Sequence, residues 1–99
     1  MSRYTKNVLM IADGTVKTCT MAWGFDVALG GAWIDLTINN DDEEVVFDIC
    51  GKFTSKPHPQ IEPENGSRYT RGDIGKIFEH HSDVIPANHA QAVYLDLPF

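Results

Sequence analysis

Two neighbouring segments of the chain alternate apolar and polar residues, which is the pattern of β-strands that bury one face. Their apolar positions are Ala32, Ile34, Leu36 and Ile38 in the first segment and Val45, Phe47 and Ile49 in the second. Pairing the segments through residues 39–42 places Leu36 opposite Val45 and Ile34 opposite Phe47, so both apolar sets share a face. The pattern therefore predicts a β-hairpin over residues 33–48.

An earlier hairpin is predicted over residues 4–23. An apolar run over residues 8–12 is followed by Asp13 and Gly14 and then by a segment rich in Thr and Val. An Asp-Gly pair between two such runs favours a type I′ turn, because both central residues need positive φ. Residues 24–31 contain three glycines and are expected to form a bend, a bulge or an irregular crossing between strands.

One helix is predicted after a long connection. Residues 51–67 contain three prolines and little apolar periodicity, so we expect no regular element there. Thr70 is a good N-cap residue, and Asp73 follows at the position of the capping-box acid. The apolar face that follows at helical spacing consists of Ile74, Ile77, Phe78 and His81. These features predict a helix over residues 71–82.

The final segment predicts another strand. Apolar and polar residues alternate over residues 92–97, before Pro98, which suits a strand end. The predicted fold class is α+β: an antiparallel sheet of four or five strands, with one short helix at about residues 71–82 packed on one face. Since two cores would each be too small to be stable, residues 1–99 are expected to form a single domain.

The size and composition of the chain limit the classes of function that we expect. A protein of 11.0 kDa has little room for a closed catalytic cavity beside its core, so we expect no enzyme and no cofactor. The N-terminal residues lack a long apolar segment, and Cys19 and Cys50 occur without secretory context. We therefore expect a cytoplasmic protein with reduced thiols and no membrane association.

Charge is the clearest signal in the sequence. The formal net charge is −6, and residues 26–50 contain seven acids and no base. This sign opposes direct binding to a nucleic-acid backbone and favours a larger protein or complex with a basic surface as partner. The predicted partner-binding residues are Trp33, Asp35, Asp41, Asp42, Glu43, Glu44 and Asp48. A solvated loop that keeps the protein soluble is the simpler explanation of these acids.

Trp33 has two possible environments. The alternation places it on the polar face of its strand, where an exposed indole would favour an interface. Alternatively, a helix or residues 51–69 cover this face and bury the ring. The sequence supports both predictions equally.

Metal and catalytic motifs are weak. No His-Glu-x-x-His, Cys-x-x-Cys or calcium-loop pattern occurs. His80 and His81 are adjacent and would point about 100° apart on a helix, so the candidate metal ligands are His81, Asp83 and His89. His58 and His89 are otherwise expected in loops. Cys50 has no cationic neighbour in sequence that would favour its thiolate, and a structural thiol is expected.

These features predict a small acidic non-enzymatic protein that binds and inhibits a larger basic partner. An inhibitor of a nucleic-acid-handling complex fits the size and charge, such as a phage counter-defence protein of the anti-CRISPR type that acts by nucleic-acid mimicry. One alternative is a metal- or ligand-binding module or small enzyme that uses His81, Asp83 and His89. Another is a structural subunit of a homo-oligomer.

Overall fold

The fold is a five-stranded antiparallel sheet followed by two helices. The structure, a computed structural model, describes residues 1–66 and 68–99. In chain order the elements are β1 (Tyr4–Ala12), β2 (Thr15–Asp26), a 3-10 helix (Val27–Leu29), β3 (Gly31–Ile38), β4 (Val45–Cys50), β5 (Thr54–Lys56), α1 (Arg71–His80) and α2 (Ala87–Leu95). The strands are adjacent in chain order, β1-β2-β3-β4-β5, so β1 and β5 form the two edges. The α+β class with one sheet is thus confirmed.

The first hairpin is confirmed together with its turn. β1 pairs with β2 from Tyr4 opposite Trp23 to Ala12 opposite Thr15. Asp13 and Gly14 have φ values of 53° and 75°, as the predicted turn requires. β2 continues to Asp26, and the short 3-10 helix then leads to Gly30, whose φ of 91° reverses the chain into β3.

The second hairpin forms in a different register from the predicted one. Leu36 lies opposite Phe47 and Ile34 opposite Ile49, two residues away from the predicted pairs. A bulge between Leu36 and Thr37, beside the connection to β4, changes the register by one residue there.

The predicted faces hold on the side of the bulge away from the connection, because the register shift there is an even number of residues. Beyond the bulge, Val45 lies opposite Thr37 and is exposed, while Val46 packs against the buried apolar cluster. The prediction that Val45 shares the buried face was therefore wrong.

The connection after β4 contains a short strand that the sequence analysis missed. β5 pairs antiparallel with β4, and Lys56 lies opposite Asp48. A strand of three residues is too short to show an alternating pattern. The prediction that residues 51–67 lack a regular element was therefore wrong for this part.

α1 has the predicted cap. The Thr70 hydroxyl accepts the Asp73 backbone N–H, and the Asp73 carboxylate accepts the Thr70 backbone N–H, at 3.2 and 2.9 Å. This reciprocal pair satisfies two N–H groups that have no partner within the helix. The helix ends at His80, two residues earlier than predicted.

The final strand predicted over residues 92–97 is wrong, because this segment lies in and just after α2. Its buried residues are His89, Ala90 and Val93, a spacing that follows a helix and not a strand. Leu95 and Leu97, which would fill the buried face of a strand, are more than half exposed. Asp96 ends the helix in the left-handed conformation, with φ 56°. Residues 1–66 and 68–99 therefore form two α-helices, where one was predicted.

One buried cluster contains residues of the sheet and of both helices, and its strand members alternate onto the same side of the sheet. Its strand members are Cys19, Met21, Trp23, Ala32, Ile34, Leu36, Ile38, Phe47 and Ile49, and its helix members are Ile74, Ile77, Phe78, Ala90 and Val93. Tyr69 and Ile85 complete it from the flanking connections. We call this side the core face and the opposite side the second face. Neither helix of the described residues has the length and apolar character needed to cross a membrane.

The contact between α1 and α2 predicts different effects for two glycine substitutions in α1. A Cβ added at Gly75 would lie 2.6 Å from the Tyr94 ring, whereas a Cβ at Gly72 would meet nothing closer than the Thr70 hydroxyl at 3.8 Å. Alanine favours a helix over glycine by up to about 1 kcal/mol. We therefore expect Gly72→Ala to stabilise the protein and Gly75→Ala to be less stable than Gly72→Ala by at least about 1 kcal/mol, measured by urea unfolding. Equal gains in stability for both variants would contradict the packing of the Tyr94 ring against Gly75 of α1.

Candidate functional site

The predicted binding residues lie on the second face and at its β3–β4 end. Alternation along β3 directs Trp33 and Asp35 away from the core face. The strand register then places Asp35 directly opposite Asp48 on β4. Trp33 forms a small buried cluster on this face with Ala22 and Cys50.

Trp33 is buried, with 9% of its surface exposed, so the second of the two predicted environments, a covered ring, is the one that the structure shows. The Arg3 guanidinium lies over its ring, 5.6 Å from the centroid, a cation-π arrangement. On β2, Gly24 lies opposite Trp33, and a side chain there would collide with the Ser2 carbonyl. The N-terminal segment, not a helix, thus provides much of the cover.

Asp35 and Asp48 form a pair of like charges on adjacent strands. Burial raises the pKa of Asp35, as does the neighbouring Asp48, while Arg3 opposes the rise. Burial also raises the pKa of Asp48. Both carboxyls line a cavity of about 350 Å³ together with Arg3, Trp33 and Phe53.

The other acids lie in the ordered connection between β3 and β4. The Asn40 side-chain oxygen accepts the backbone N–H groups of Asp42 and Glu44, at 3.1 and 3.4 Å. These bonds fix the turn without using a carboxylate. The side chains of residues 41–44 are exposed.

The connection and the second face meet in one concave surface of about 500 Å³. Arg3, Asp35, Asp41 and Glu43 all line it. We call Asp35, Asp41, Asp42, Glu43, Glu44 and Asp48 the acidic surface. In the described part of the chain, the side-chain ion pairs join Arg71 to Asp96 and Lys76 to Glu64, so neither neutralises this surface.

A second group of titratable residues lies on the core-face side, at the end of α1. Ring nitrogens of His58, His80 and His81 lie within 4.8 Å of one another. His58 and His81 approach closest, with 3.1 Å between their Nε2 atoms. Phe47 stacks against both rings, with centroids 4.6 and 5.7 Å away.

The hydrogen bonds of His58 determine what this cluster can bind. His58 Nδ1 accepts the Gln60 backbone N–H at 3.0 Å, so a neutral His58 carries its proton on Nε2 and donates it to His81 Nε2. A histidine that binds a metal through Nε2 instead needs a proton on Nδ1, donated to an acceptor. Because Nδ1 of His58 faces a donor, the three nitrogens fit the distances of a metal site but not its protonation.

The predicted metal ligands His81, Asp83 and His89 are not brought together. His89 lies on α2, where its Nδ1 accepts the indole N–H of Trp23 at 3.0 Å, and its ring packs against Tyr4 and Phe99. The expectation that both His58 and His89 lie in loops is confirmed for His58 and wrong for His89, which lies in α2. Both side chains are buried, with 4% and 9% of their surfaces exposed, and His58 is buried by contacts with distant residues.

Burial dominates the protonation of all three inward-facing histidines. Burial and the neighbouring His81 and His80 lower the pKa of His58 to about 4. Burial and His80 also lower the pKa of His81, with Asp83 acting in the opposite direction. Burial lowers the pKa of His89. At neutral pH these rings are uncharged.

Cys50 does not lie in a catalytic arrangement with the histidine cluster. It is buried beside Trp33 on the second face, and its thiol donates to the Phe53 carbonyl at 3.4 Å. Comparisons with protein-family models, with curated proteins and with solved structures find no match. The candidate sites therefore stand on their geometry.

Two residues of these sites were not identified from the sequence. Arg3 could have been found, because extending the first hairpin places it beside Gly24 and hence in line with Trp33. His58 could not, since its burial depends on Phe47 and His81, which no local pattern connects to it. Its flanking residues, Pro57 and Pro59, restrict the backbone but do not indicate burial.

The Asp35–Asp48 pair predicts a stabilising substitution. Because folding raises the pKa of both carboxyls above 3.8, the folded state takes up protons, and the pair destabilises the protein above the folded pKa values but not below 3.8. Asp35→Asn should therefore raise the free energy of unfolding by roughly 1 kcal/mol at pH 7, measured by urea unfolding, and this gain should vanish by pH 3.

Asp41→Asn is the matched control, because this side chain is exposed in the connection, and it should change stability little. The double variant with Asp48→Asn should gain less than the sum of the single variants, since the first substitution already removes the repulsion. A loss of stability in Asp35→Asn at pH 7 would contradict a repulsive pair.

Proposed function

We propose that this chain is a small acidic protein, without catalytic activity, that binds a basic surface on a larger partner through its acidic surface. One observation carries the proposal: Asp35, Asp41 and Glu43 line a single concave surface, and none of the six acids of the acidic surface takes part in the ion pairs of the described residues. Carboxylates arranged in this way remain free to meet Lys and Arg side chains of a partner.

The arrangement differs from that of acids that serve only solubility. Acids that serve only solubility repel each other least when they are far apart. Asp35 and Asp48 instead lie directly opposite each other, and the pKa of each carboxyl is raised. A partner's cation placed between them would remove the repulsion. Binding would then be favoured by the loss of the repulsion between these two carboxylates in the free protein.

The paired carboxyls support a preference for guanidinium groups. Asp35 and Asp48 lie opposite each other on adjacent strands and line one cavity. Two neighbouring carboxylates suit arginine better than lysine, since the planar guanidinium can form two hydrogen bonds in a fixed geometry. The partner surface that we propose is accordingly rich in arginine.

Arginine-rich surfaces are typical of proteins that bind nucleic-acid phosphates. The proposed partner is therefore a nucleic-acid-handling complex, and the acidic surface occupies the groove that would otherwise hold DNA or RNA. In this proposal the protein acts as an inhibitor by nucleic-acid mimicry, as a phage counter-defence protein of the anti-CRISPR type would, in the cytoplasm of the host cell. Neither metal nor direct nucleic-acid contact takes part.

The test is capture of host proteins by the immobilised chain, followed by competition with duplex DNA and single-stranded RNA. We expect a nucleic-acid-binding complex to be retained and then displaced by at least one of the two nucleic acids. The variant Asp41→Asn, Asp42→Asn, Glu43→Gln, Glu44→Gln should associate at least tenfold more slowly, and its binding should depend less on salt.

The matched control is Glu62→Lys with Glu64→Lys, which changes the net charge by the same four units away from the acidic surface. It should bind as the original chain does. Equal slowing in the control would show that net charge, and not this surface, drives capture. Retention that neither nucleic acid displaces would show that the acidic surface does not occupy a nucleic-acid groove. Either result would overturn the proposal.

A second candidate is self-association through β1, and a distinct observation favours it. β1 is an edge strand, and Leu9 and Ile11 beside the edge are 74% and 77% exposed. Edge strands without proline or dense charge tend to pair with another chain. Two copies can pair their β1 strands antiparallel about a two-fold axis.

Molar mass by light scattering tests this candidate. A dimer at micromolar concentration that becomes a monomer in Ile11→Lys would support it. Val27→Lys is the control, because Val27 is equally exposed, at 78%, but lies in the 3-10 helix away from β1. A monomer at every concentration, or a dimer that both variants leave intact, would contradict pairing at β1.

A further inference from the structure

Residues 58–61 are held against the end of α1 by side chains that respond to protons. His58 contacts His81 through their Nε2 atoms at 3.1 Å, and the Gln60 side-chain oxygen accepts from His80 Nε2 at 2.8 Å. The Tyr69 hydroxyl accepts the His58 backbone N–H at 3.0 Å and donates to the Ile61 carbonyl. Ile61, at the end of the segment, also packs against the apolar cluster of the core face.

The His58–His81 pair has no free position for an additional proton. His58 Nδ1 accepts from Gln60, so a second proton on His58 would face the Gln60 N–H. In neutral His81 the proton lies on Nδ1, because Nε2 accepts from His58, and a second proton would face the His58 N–H. Either protonation therefore breaks a hydrogen bond and leaves a charge beside apolar groups.

A cavity lies directly behind this pair. It has a volume of about 320 Å³ and reaches from His58 and His81 to Phe47 and to Val8 and Met10 of β1. Met21 and Leu36 of the core face form its floor. Removing residues 58–61 from this place would expose an apolar surface that adjoins the exposed edge of β1.

We propose that the His58–His81 pair is a proton-operated closure, which opens at mildly acidic pH, releases residues 58–61 from α1 and exposes the apolar cavity while the sheet stays folded. The opened state is the form that accepts extra protons. The cavity lies on the opposite side of the sheet from the acidic surface, so the two proposals are independent.

The surroundings of the pair are consistent with this behaviour. From α1, His80 adds positive charge on protonation, and its bond to Gln60 survives because a protonated His80 still donates. Asp83, in the turn after α1, favours the charged form of His81. Tyr69 offers only a neutral hydroxyl, and the residues of β1 and β4 that line the cavity, Val8–Ile11 with Val46 and Phe47, carry no charge.

The size of the effect follows from linkage. His58 has a pKa of about 4 in the closed state, against an ordinary value of 6.5, so protons favour the opened state increasingly as the pH falls between these values. For His58 alone, the equilibrium constant for opening should rise about 20-fold between pH 7 and pH 5. Titration of His81 would add to this rise.

Amide hydrogen exchange measured by NMR tests the closure. After correction for intrinsic exchange rates, the protection factors of the His58 and Gln60 amides should fall about 20-fold from pH 7 to pH 5. Amides in the middle of β2 and β3 should keep their protection. In the unmodified chain, the His58 ring signals and the Gln60 amide should also titrate together, with a midpoint well below 6.5.

His58→Asn removes the titrating ring but keeps an oxygen that can accept the Gln60 N–H two residues on, so the pH dependence should disappear. His80→Gln is the matched control; it removes a neighbouring histidine, can still donate to Gln60 and should retain most of the dependence. If His58→Asn does not fold, the ring titration of the unmodified chain decides.

Three results would overturn the proposal. One is an unchanged pH dependence in His58→Asn, and another is a parallel loss of protection in β2 and β3. The third is a His58 ring that titrates near its ordinary value. Zn²⁺ at one equivalent should leave both protection factors unchanged at pH 7, and an increase would identify the cluster as a metal site instead.

Discussion

The two-residue periodicity of β2, β3 and β4 is the constraint on which the rest of the structure depends. Because neighbouring side chains on a strand point to opposite faces, these paired strands separate the apolar cluster of the core face from the carboxylates of the second face. Ile34 and Asp35 are adjacent in the chain, yet Ile34 is fully buried in the main cluster and Asp35 faces Asp48 on the other side. A slip by one residue would exchange them, placing a carboxylate pair in the core, so the core itself fixes where the acidic surface lies.

The same periodicity explains which predictions were reliable. Away from the bulge, faces were predicted correctly even though the register was not, since the two-residue shift that places Leu36 opposite Phe47 leaves both side chains on the predicted face. The Asp13-Gly14 turn and the Thr70–Asp73 capping box were predicted in detail, because each is determined by residues within a few positions of one another. The acids at the β3–β4 end were likewise predicted to be exposed, and they are.

The predictions that failed concern contacts between distant segments. Val93, Leu95 and Leu97 alternate as a strand would, but Ala90 and Val93 fill the remaining space beside α1, and tertiary packing overrides the local pattern. Trp33 is covered by Arg3, thirty positions earlier in the chain. His58 is buried because it packs against Phe47 and His81. The sequence around His58 does not indicate these contacts. The function of the acidic surface stays a prediction, because it depends on contacts with a second molecule.

The two titratable groups differ in what they cost the folded protein, and this difference bears on their roles. At neutral pH the His58–His81 pair is uncharged and hydrogen-bonded, so it holds the structure together under those conditions and weakens it only in acid. The Asp35–Asp48 pair has the opposite behaviour, since raised pKa values mean that the charged pair opposes folding at neutral pH. Threonines at these two positions would pair well across the strands without that cost. Departures of this kind from the most stable sequence are expected at functional sites, and Arg3 reduces the cost only in part, since the pKa of Asp35 is still raised. The stability of the sheet thus comes from the core face, while the second face retains a carboxylate pair whose repulsion the chain offsets incompletely.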